Sequence, residues 1–413
     1  MNESSLSYVN GTSDEPLMYK TIGQALDDAA KTWPDGEAVV VRHQNIRWSY
    51  TQLNEQANAV AAGLVALGFK RGDRIGIWSP NNIEWVITQF ATAKAGLILV
   101  NVNPAYRIGE LEYALNKVEC KGIIIAERFK TSDYVEMIHK LAPEIAQCAP
   151  GELQAEKLPH LKSVVCISDQ THKGMYQFSE IAKFGGDSQR GELLQLAGEL
   201  QPDDAINIQF TSGTTGMPKG ATLTHFNIVN NGYFVGKAMK LGRNDKLAIP
   251  VPLYHCFGMV MGVLTCVTTG ATMVFPDEAF EPGSVLAAVS EEQCTALHGV
   301  PTMFIAELDH PDFSSFDFSH LRTGIMAGAP CPIEVMKRVF SDMNMGEVTI
   351  AYGMTETSPV SFQSGTDDAI DKRVSTVGRI HPHVEVKIIN DDGRVVARGE
   401  KGELCTRGYS VML

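Results

Sequence analysis

The sequence has little positive charge, no paired cysteines and no unbroken apolar run of membrane length. Its eight cysteines, at positions 120, 148, 166, 256, 266, 294, 331 and 405, stand singly and form no CxxC pair. That spacing speaks against a disulfide frame or a cysteine zinc site and fits reduced thiols in a cytoplasmic compartment. Lysine and arginine number 35 against 48 acidic residues, for a net charge of −13 at pH 7. A nucleic acid or an anionic membrane calls for a basic face, so neither is an expected partner. Any anion site must be a local device of backbone amides and one or two cations. The N-terminal MNESSLSYVNGTSDE lacks the basic and apolar regions of a signal peptide and the arginines of a transit peptide. Leu253 to Phe275 carries no formal charge but is interrupted by Gly258, Gly262 and Thr268-Thr269-Gly270. A spanning helix needs about 20 predominantly apolar residues. This broken stretch reads instead as a buried helix followed by a buried strand. Internal repeats and low-complexity blocks are also missing.

What is present is an ordinary globular composition, 44% hydrophobic and 20% charged. At 413 residues the chain is too long for one core, so two or three lobes are expected. From Thr51, the positions Leu53, Ala57, Val60, Leu64 and Leu67 share one helical face, and Gly68 ends that helix. Arg74 to Trp78 reads as a strand, a turn follows at Ser79-Pro80-Asn81-Asn82, and a helix then runs to Gly96. The rhythm recurs with expected strands at 97–102, 122–126, 163–168, 247–252, 295–300, 323–328 and 347–353. Alternating strands and helices imply open, mostly parallel sheets covered on both faces, and so many strands suggest two stacked α/β lobes. After residue 374 the texture changes to period-two alternation with an Asp392-Gly393 turn, marking a small antiparallel barrel or sheet. Residues 142–160 and 184–204 read as surface connections.

The segment TSGTTGMPKG, residues 211–220, combines four hydroxyl residues, three glycines and one lysine. Glycines let successive amides turn inward as a nest, hydroxyls donate further hydrogen bonds, and Lys219 supplies a cation. It is not a Walker A loop. Gly213 and Gly216 are too close together, Met217-Pro218 separates Gly216 from Lys219, and Gly220 stands where a hydroxyl is needed. Alternating Ile206, Ile208 and Phe210 precede it and Ala221-Thr222-Leu223 follows, so the loop joins strand to strand. A helix cap comes only at Thr224.

TSGTTGMPKG closely resembles the phosphate loop of the adenylate-forming family, which includes acyl-CoA synthetases, firefly luciferase and peptide-synthetase adenylation domains. Further motifs stand in that family's order: PLYHCFG at 252–258, GVPTMF at 299–304, AGAP at 327–330, AYGMTETSP at 351–359, TVGRI at 376–380 and GELCTRGYSVM at 402–412. The resemblance implies an acid–thiol ligase. A carboxylate attacks the α-phosphorus of ATP to give acyl-AMP and pyrophosphate, and coenzyme A then takes the acyl group. At an effective dielectric of ~20, a like-charge contact at about 4 Å costs about 4 kcal/mol, so cations and aligned donors must offset the approach of anion to polyanion.

By resemblance, Thr211, Ser212, Gly213, Thr214, Thr215, Gly216 and Lys219 hold phosphate. Glu356 binds Mg2+, and Thr355 donates to the α-phosphate. Tyr352 stacks on adenine beside Gly353 and Met354, with Gly328, Ala329 and Pro330 on its other side. His255 gates the acyl pocket or contacts the α-phosphate, and Phe257, Gly258, Val300, Met303 and Gly328 line the acyl channel. The implied fold is two stacked, doubly wound, mostly parallel sheets with helices on both faces, plus a small antiparallel β-barrel. Residues 17–70 with 245–360 form one α/β lobe, 71–244 the lobe with the phosphate loop, and 365–413 the barrel part.

Peptide-synthetase adenylation domains place an acidic residue just after the strand that here ends in PLY. This sequence has His255-Cys256-Phe257 there and no acid before Asp277. An uncharged tail is therefore expected, and the motifs most resemble the medium-chain branch. The expected partners are a small carboxylic acid, ATP and coenzyme A, with room for a homodimer and with no stable membrane insertion. The family continues past GYSVM with a ribose-binding aspartate, a hinge and a small C-terminal lid domain. The sequence as given corresponds to the large N-terminal domain, expected to bind nucleotide but to turn over slowly. Two alternatives remain: another adenylate former acting on aryl or luciferin-like acids, and a nucleotide-binding protein without chemistry.

Overall fold

The computed structural model describes residues 6–211 and 216–413. One sheet has seven strands, in the order Tyr176–Gln177, Ser163–Ile167, Gly122–Ala126, Arg74–Trp78, Ile98–Asn101, Ala205–Thr211 and Lys219–Thr224. Its neighbours run parallel except for the last pair, an antiparallel hairpin. The other sheet has nine strands: Arg379–Ile380, Val360–Gln363, Thr349–Gly353, Thr323–Ala327, Ala296–Gly299, Lys246–Ala248, Thr272–Phe275, Glu37–Val41 and Ile46–Ser49. Its centre is parallel and both edges are antiparallel.

The two sheets share one hydrophobic layer. The helices Tyr50–Ala66, Ile83–Lys94 and His225–Ala238 all contribute to it. Strand alternation divides the apolar residues between layers. Ile124 faces the shared core, while Ile123 and Ile125 face the helices Ile108–Lys117 and Tyr134–Leu141 on the outer side. On the nine-stranded sheet Val39 and Val41 face inward, and Val40 faces a third core under the helices Pro282–Glu291, Pro301–Leu308 and Ile333–Asp342. Burial on both faces is why these strands read as continuous apolar runs.

Leu253 to Phe275 is the expected buried helix followed by a strand. A π-helical stretch, Met259–Leu264, interrupts the helix, and Gly270 ends it in the left-handed region before Thr272–Phe275. Among the described residues no helix is long and apolar enough to cross a membrane.

Three expectations need correction. The antiparallel unit is an open three-stranded sheet among the described residues, not a closed barrel: Val384–Ile389 pairs with Glu403–Gly408 on one side and with Tyr8–Asn10 on the other. Residues 187–199 form a helix, Asp187–Glu199, instead of a plain connection, but it buries no residue, so no apolar stripe announced it. The strand expected at 247–252 pairs only over Lys246–Ala248. Ile249 N–H still reaches the Val274 carbonyl at 2.8 Å, but Pro250 and Pro252 have no N–H to extend the ladder. The chain leaves the sheet at that point and enters the functional cleft.

Candidate functional site

The strand Lys246–Ala248 lies where the nine-stranded sheet reverses its winding. The chain next builds Thr272–Phe275 on one side and then crosses to Ala296–Gly299 on the other. Such a reversal opens a crevice at the carboxyl ends of the strands. The crevice here is a cleft of ≈ 570 Å³ between the two sheets.

The hairpin of Ala205–Thr211 and Lys219–Thr224 forms one lip, with Thr211 paired to Lys219 and Phe210 to Gly220. The 211–220 segment thus stands between two paired strands, as its flanks predict. Thr224 then caps the helix His225–Ala238 by a reciprocal bond with Asn227. Thr211 lines the cleft, Lys219 and Gly216 are exposed, and Ser212, Gly213, Thr214 and Thr215 lie outside the described residues.

The other lip is the turn after Thr349–Gly353. Tyr352, Gly353, Met354, Thr355 and Glu356 all line the cleft. A side chain at Gly353 would place its Cβ 1.7 Å from the Pro359 carbonyl oxygen, so only glycine allows this turn to fold so tightly. Thr357 closes it, its hydroxyl donating to the Met354 and Pro359 carbonyls at 3.1 and 2.8 Å. The two lips meet where the Thr211 hydroxyl donates to Glu356 Oε1 at 3.2 Å. The ends of the two sheets therefore present a hydroxyl and a carboxylate to the same space.

The floor comes from the segment after Ala248. His255 opens onto the cleft, and its Nδ1 accepts the Phe257 N–H at 3.2 Å. Close walls strip water from the ring, and this desolvation lowers the imidazole pKa. Beneath it runs a directed chain of hydrogen bonds. The Cys256 thiol donates to Gln209 Oε1 at 3.1 Å, Gln209 Nε2 to Asn207 Oδ1 at 2.8 Å, Asn207 Nδ2 to Asn101 Oδ1 at 2.8 Å, and Asn101 Nδ2 to the Tyr254 carbonyl at 2.9 Å. All four side chains are buried. Amides of the seven-stranded sheet thereby fix the segment that carries His255. Stacked Trp78 and Tyr134, with centroids 3.7 Å apart, anchor the neighbouring wall. They donate to the carbonyls of Asn103 and Pro104, holding the loop that carries the cleft residues Asn103 and Tyr106.

Nine of the expected site residues line this cleft: Thr211, His255, Phe257, Gly328, Tyr352, Gly353, Met354, Thr355 and Glu356. Val300 stands behind Gly328, with Cγ1 3.2 Å from the position a Cβ would take there. Met303 is half-buried on the helix Pro301–Leu308, and Ala329 and Pro330 are exposed beyond Gly328. Gly258 is not among the residues that line the cleft. Its missing side chain makes room for the Pro252 carbonyl oxygen, 2.4 Å from the would-be Cβ. Sequence reasoning missed Asn101, Asn103, Tyr106, Gln209, Tyr254 and Met261, which also line the cleft. Polar Asn101, Asn207 and Gln209 inside otherwise apolar strands were the available signal.

No group of three or more potential metal ligands occurs among the described residues. Mg2+ is commonly held by one or two carboxylates together with substrate phosphates. Glu356, with the Thr211 hydroxyl 3.2 Å away, fits that sparse donor set.

A crevice at the switch point of an α/β sheet, edged by a glycine–hydroxyl hairpin and an acidic turn, describes a nucleotide-binding enzyme. The chain belongs to the AMP-binding enzyme family, whose model matches residues 26–413. It is 46% identical over 397 residues to YngI of Bacillus subtilis (strain 168), covering 96% of this chain and 72% of that protein. It is 44% identical over 413 residues to the mitochondrial medium-chain acyl-CoA ligase ACSF2 of Rattus norvegicus, covering 98% of this chain and 67% of the relative. Among solved structures, the anthranilate CoA ligase AuaEII in complex with anthranoyl-AMP matches with a TM-score of 0.83 at 23% identity, covering 97% of this chain and 72% of that one. The N-terminal domain of FACL13 from Mycobacterium tuberculosis matches at 0.76 and 24% identity, covering 95% and 90%. The fold is that of this N-terminal domain.

Proposed function

We propose that this chain binds ATP and a medium-chain carboxylic acid, joins them as acyl-AMP with release of pyrophosphate, and serves transfer of the acyl group to coenzyme A. The observation that carries this reading is the Thr211–Glu356 contact, which brings the two lips together over the cleft in a member of the AMP-binding family. The medium-chain preference rests on the 44% identical ACSF2 relative and on the lack of an acidic residue between His255 and Asp277.

In this reading the 211–216 loop and Lys219 hold the phosphates. Thr355 donates to the α-phosphate, Tyr352 stacks on adenine, and Gly328, Ala329 and Pro330 lie on its other side. His255 stands where the acid's carboxylate meets the α-phosphorus, with Phe257, Val300 and Met303 along the tail. His255 Nδ1 is occupied as an acceptor by the Phe257 N–H, so the ring approaches the reacting groups through Nε2. A carboxylate oxygen forms the new bond to phosphorus as the bond to pyrophosphate breaks. Lys219 and the hairpin donors stabilise the charge that collects on the leaving group. Glu356 and Thr211 would hold Mg2+, which supplies further neutralisation of the phosphate charge.

Residues 17–70 with 245–360, 71–244 and 365–413 act as the three parts of one nucleotide-binding domain. A cytoplasmic location belongs to the same proposal, supported by eight free cysteines.

The test is mass spectrometry of adenylates formed from ATP and a panel of straight, branched and aryl acids. Octanoyl-AMP formed in preference to aryl adenylates is the expected result. No adenylate from any acid would overturn the proposal.

A further inference from the structure

His298 stands on the strand Ala296–Gly299, and its imidazole is fully buried. Its Nε2 lies 3.0 Å from the Met261 carbonyl oxygen. A carbonyl only accepts, so Nε2 carries the proton and Nδ1 is left as a bare acceptor. That Nδ1 has no hydrogen-bond partner among the described residues. Burial lowers the ring's pKa to about 4, so it is neutral at physiological pH and Nδ1 keeps its lone pair. Buried polar atoms normally find a partner, and an orphan calls for an explanation.

Position supplies one. The imidazole packs against Phe257 with centroids 5.3 Å apart, and both Phe257 and Met261 line the cleft. One aromatic ring therefore stands between the His298 imidazole and the space assigned to the acid's tail. The neighbouring strand adds Ala327 and Gly328 to the same wall.

We infer that His298 Nδ1 is a specificity-determining acceptor for a hydroxyl group on the tail of the carboxylic acid, in a polar subsite screened by Phe257. The inference rests on the acid-activating reading above and narrows its substrate class to hydroxylated medium-chain acids. A hydroxylated tail turns the Phe257 ring aside and donates to Nδ1. An unsubstituted tail leaves Nδ1 unpaired. Sites built around a substrate hydroxyl discriminate strongly against analogues that lack it, because their own buried group is then stranded.

The test is calorimetric titration of the 413-residue chain with octanoate and with its monohydroxy derivatives, the hydroxyl moved along the chain, in the presence of AMP. Binding is read directly, so turnover is not required. At least one hydroxyoctanoate is expected to bind about tenfold tighter than octanoate. His298→Leu abolishes that gain. His298→Gln also abolishes it while an amide N–H still serves the Met261 carbonyl, which keeps the test sound if the leucine variant fails to fold. His298→Asn, with an acceptor close to the Nδ1 position, retains part of the gain. The inference is overturned if no hydroxy isomer binds better than octanoate, or if the gain survives in His298→Gln. Absence of binding by AMP and by every acid instead defeats the acid-activating reading itself.

Discussion

Asn231 grips the backbone of Val360 from both sides: Nδ2 donates to the Val360 carbonyl at 2.8 Å, and Oδ1 accepts the Val360 N–H at 3.1 Å. Asn231 lies on the helix His225–Ala238, which begins directly after the hairpin strand Lys219–Thr224, whereas Val360 follows the acidic turn. One buried side chain thus ties the two lips of the cleft to a common support.

Replacing Asn231 with leucine strands two buried backbone groups. Each stranded group costs about 1–3 kcal/mol. The expected result is a urea midpoint lowered to match a loss of about 3 kcal/mol, together with weaker AMP binding, since Val360 and Pro359 line the cleft. Unchanged AMP affinity in a folded Asn231→Leu protein would show that the clamp does not position the turn.

Lys219 is exposed at the start of its strand, and Glu356 sits on the opposite lip. Lys219→Ala and Glu356→Gln should each slow adenylate formation by about 100-fold, the usual loss for one charge-stabilising group. For Lys219→Ala the folding stability should change by no more than about 0.5 kcal/mol. Pyrophosphate-exchange rates beside thermal melts separate the two effects. Wild-type rates in both variants would remove these residues from the chemistry.

Glu307 is completely buried on the helix Pro301–Leu308, and neither carboxyl oxygen has a partner among the described residues. Desolvation pushes its pKa from 4.5 up to about 8. The folded state therefore holds a proton that the unfolded chain releases as pH rises. Stability should fall between about pH 4.5 and 8, by up to about 1.4 kcal/mol per pH unit. Glu307→Gln should flatten that slope and be more stable than the parent at pH 8, with little difference at pH 4. Equal slopes in urea titrations of the two proteins would contradict the assignment.

The buried histidines act at the other end of the scale. Burial lowers His225 to about 3 and His381 to about 4. His225 Nδ1 accepts the Ile22 N–H at 3.2 Å, a bond that needs that nitrogen bare. Because the folded values lie below 6.5, stability is intact above pH 6.5 and is lost as pH falls towards 4. His225→Asn keeps an acceptor for Ile22 but cannot take up a proton. Its stability curve should be shallower by about one proton between pH 6.5 and 4, read from urea midpoints across that range. A slope equal to the parent's would count against the assignment.

Much of the fold was legible where one physical cause acted alone. GIIIA at 122–126 and RIGIW at 74–78 are apolar on both faces, and each is a strand over those residues. The helix Tyr50–Ala66 buries Leu53, Ala57, Val60 and Leu64 as its spacing predicts. Legibility failed where distant segments decide the outcome. Tyr8–Asn10 becomes a strand only by pairing with residues 385–387, far along the chain. The same holds for the site. Motifs marked the lips and His255, but the amide chain from Asn101 to Gln209 depends on neighbouring strands brought together by the sheet. The motif at Gly258 gave no sign that the Pro252 backbone would occupy its side-chain space.

The cysteine below His255 bears on how such a site survives its own chemistry. An acyl-adenylate is a mixed anhydride and will acylate a thiolate within reach. Cys256 is fully buried with its thiol on Gln209, and desolvation, helped by the Glu356 charge, pushes its pKa up to about 12. The sulfur thus stays protonated and withdrawn at neutral pH, which makes it a poor nucleophile. Depth and an unfavourable ionisation keep the activated acid from being trapped as a dead-end thioester on the protein, leaving it for an incoming thiol.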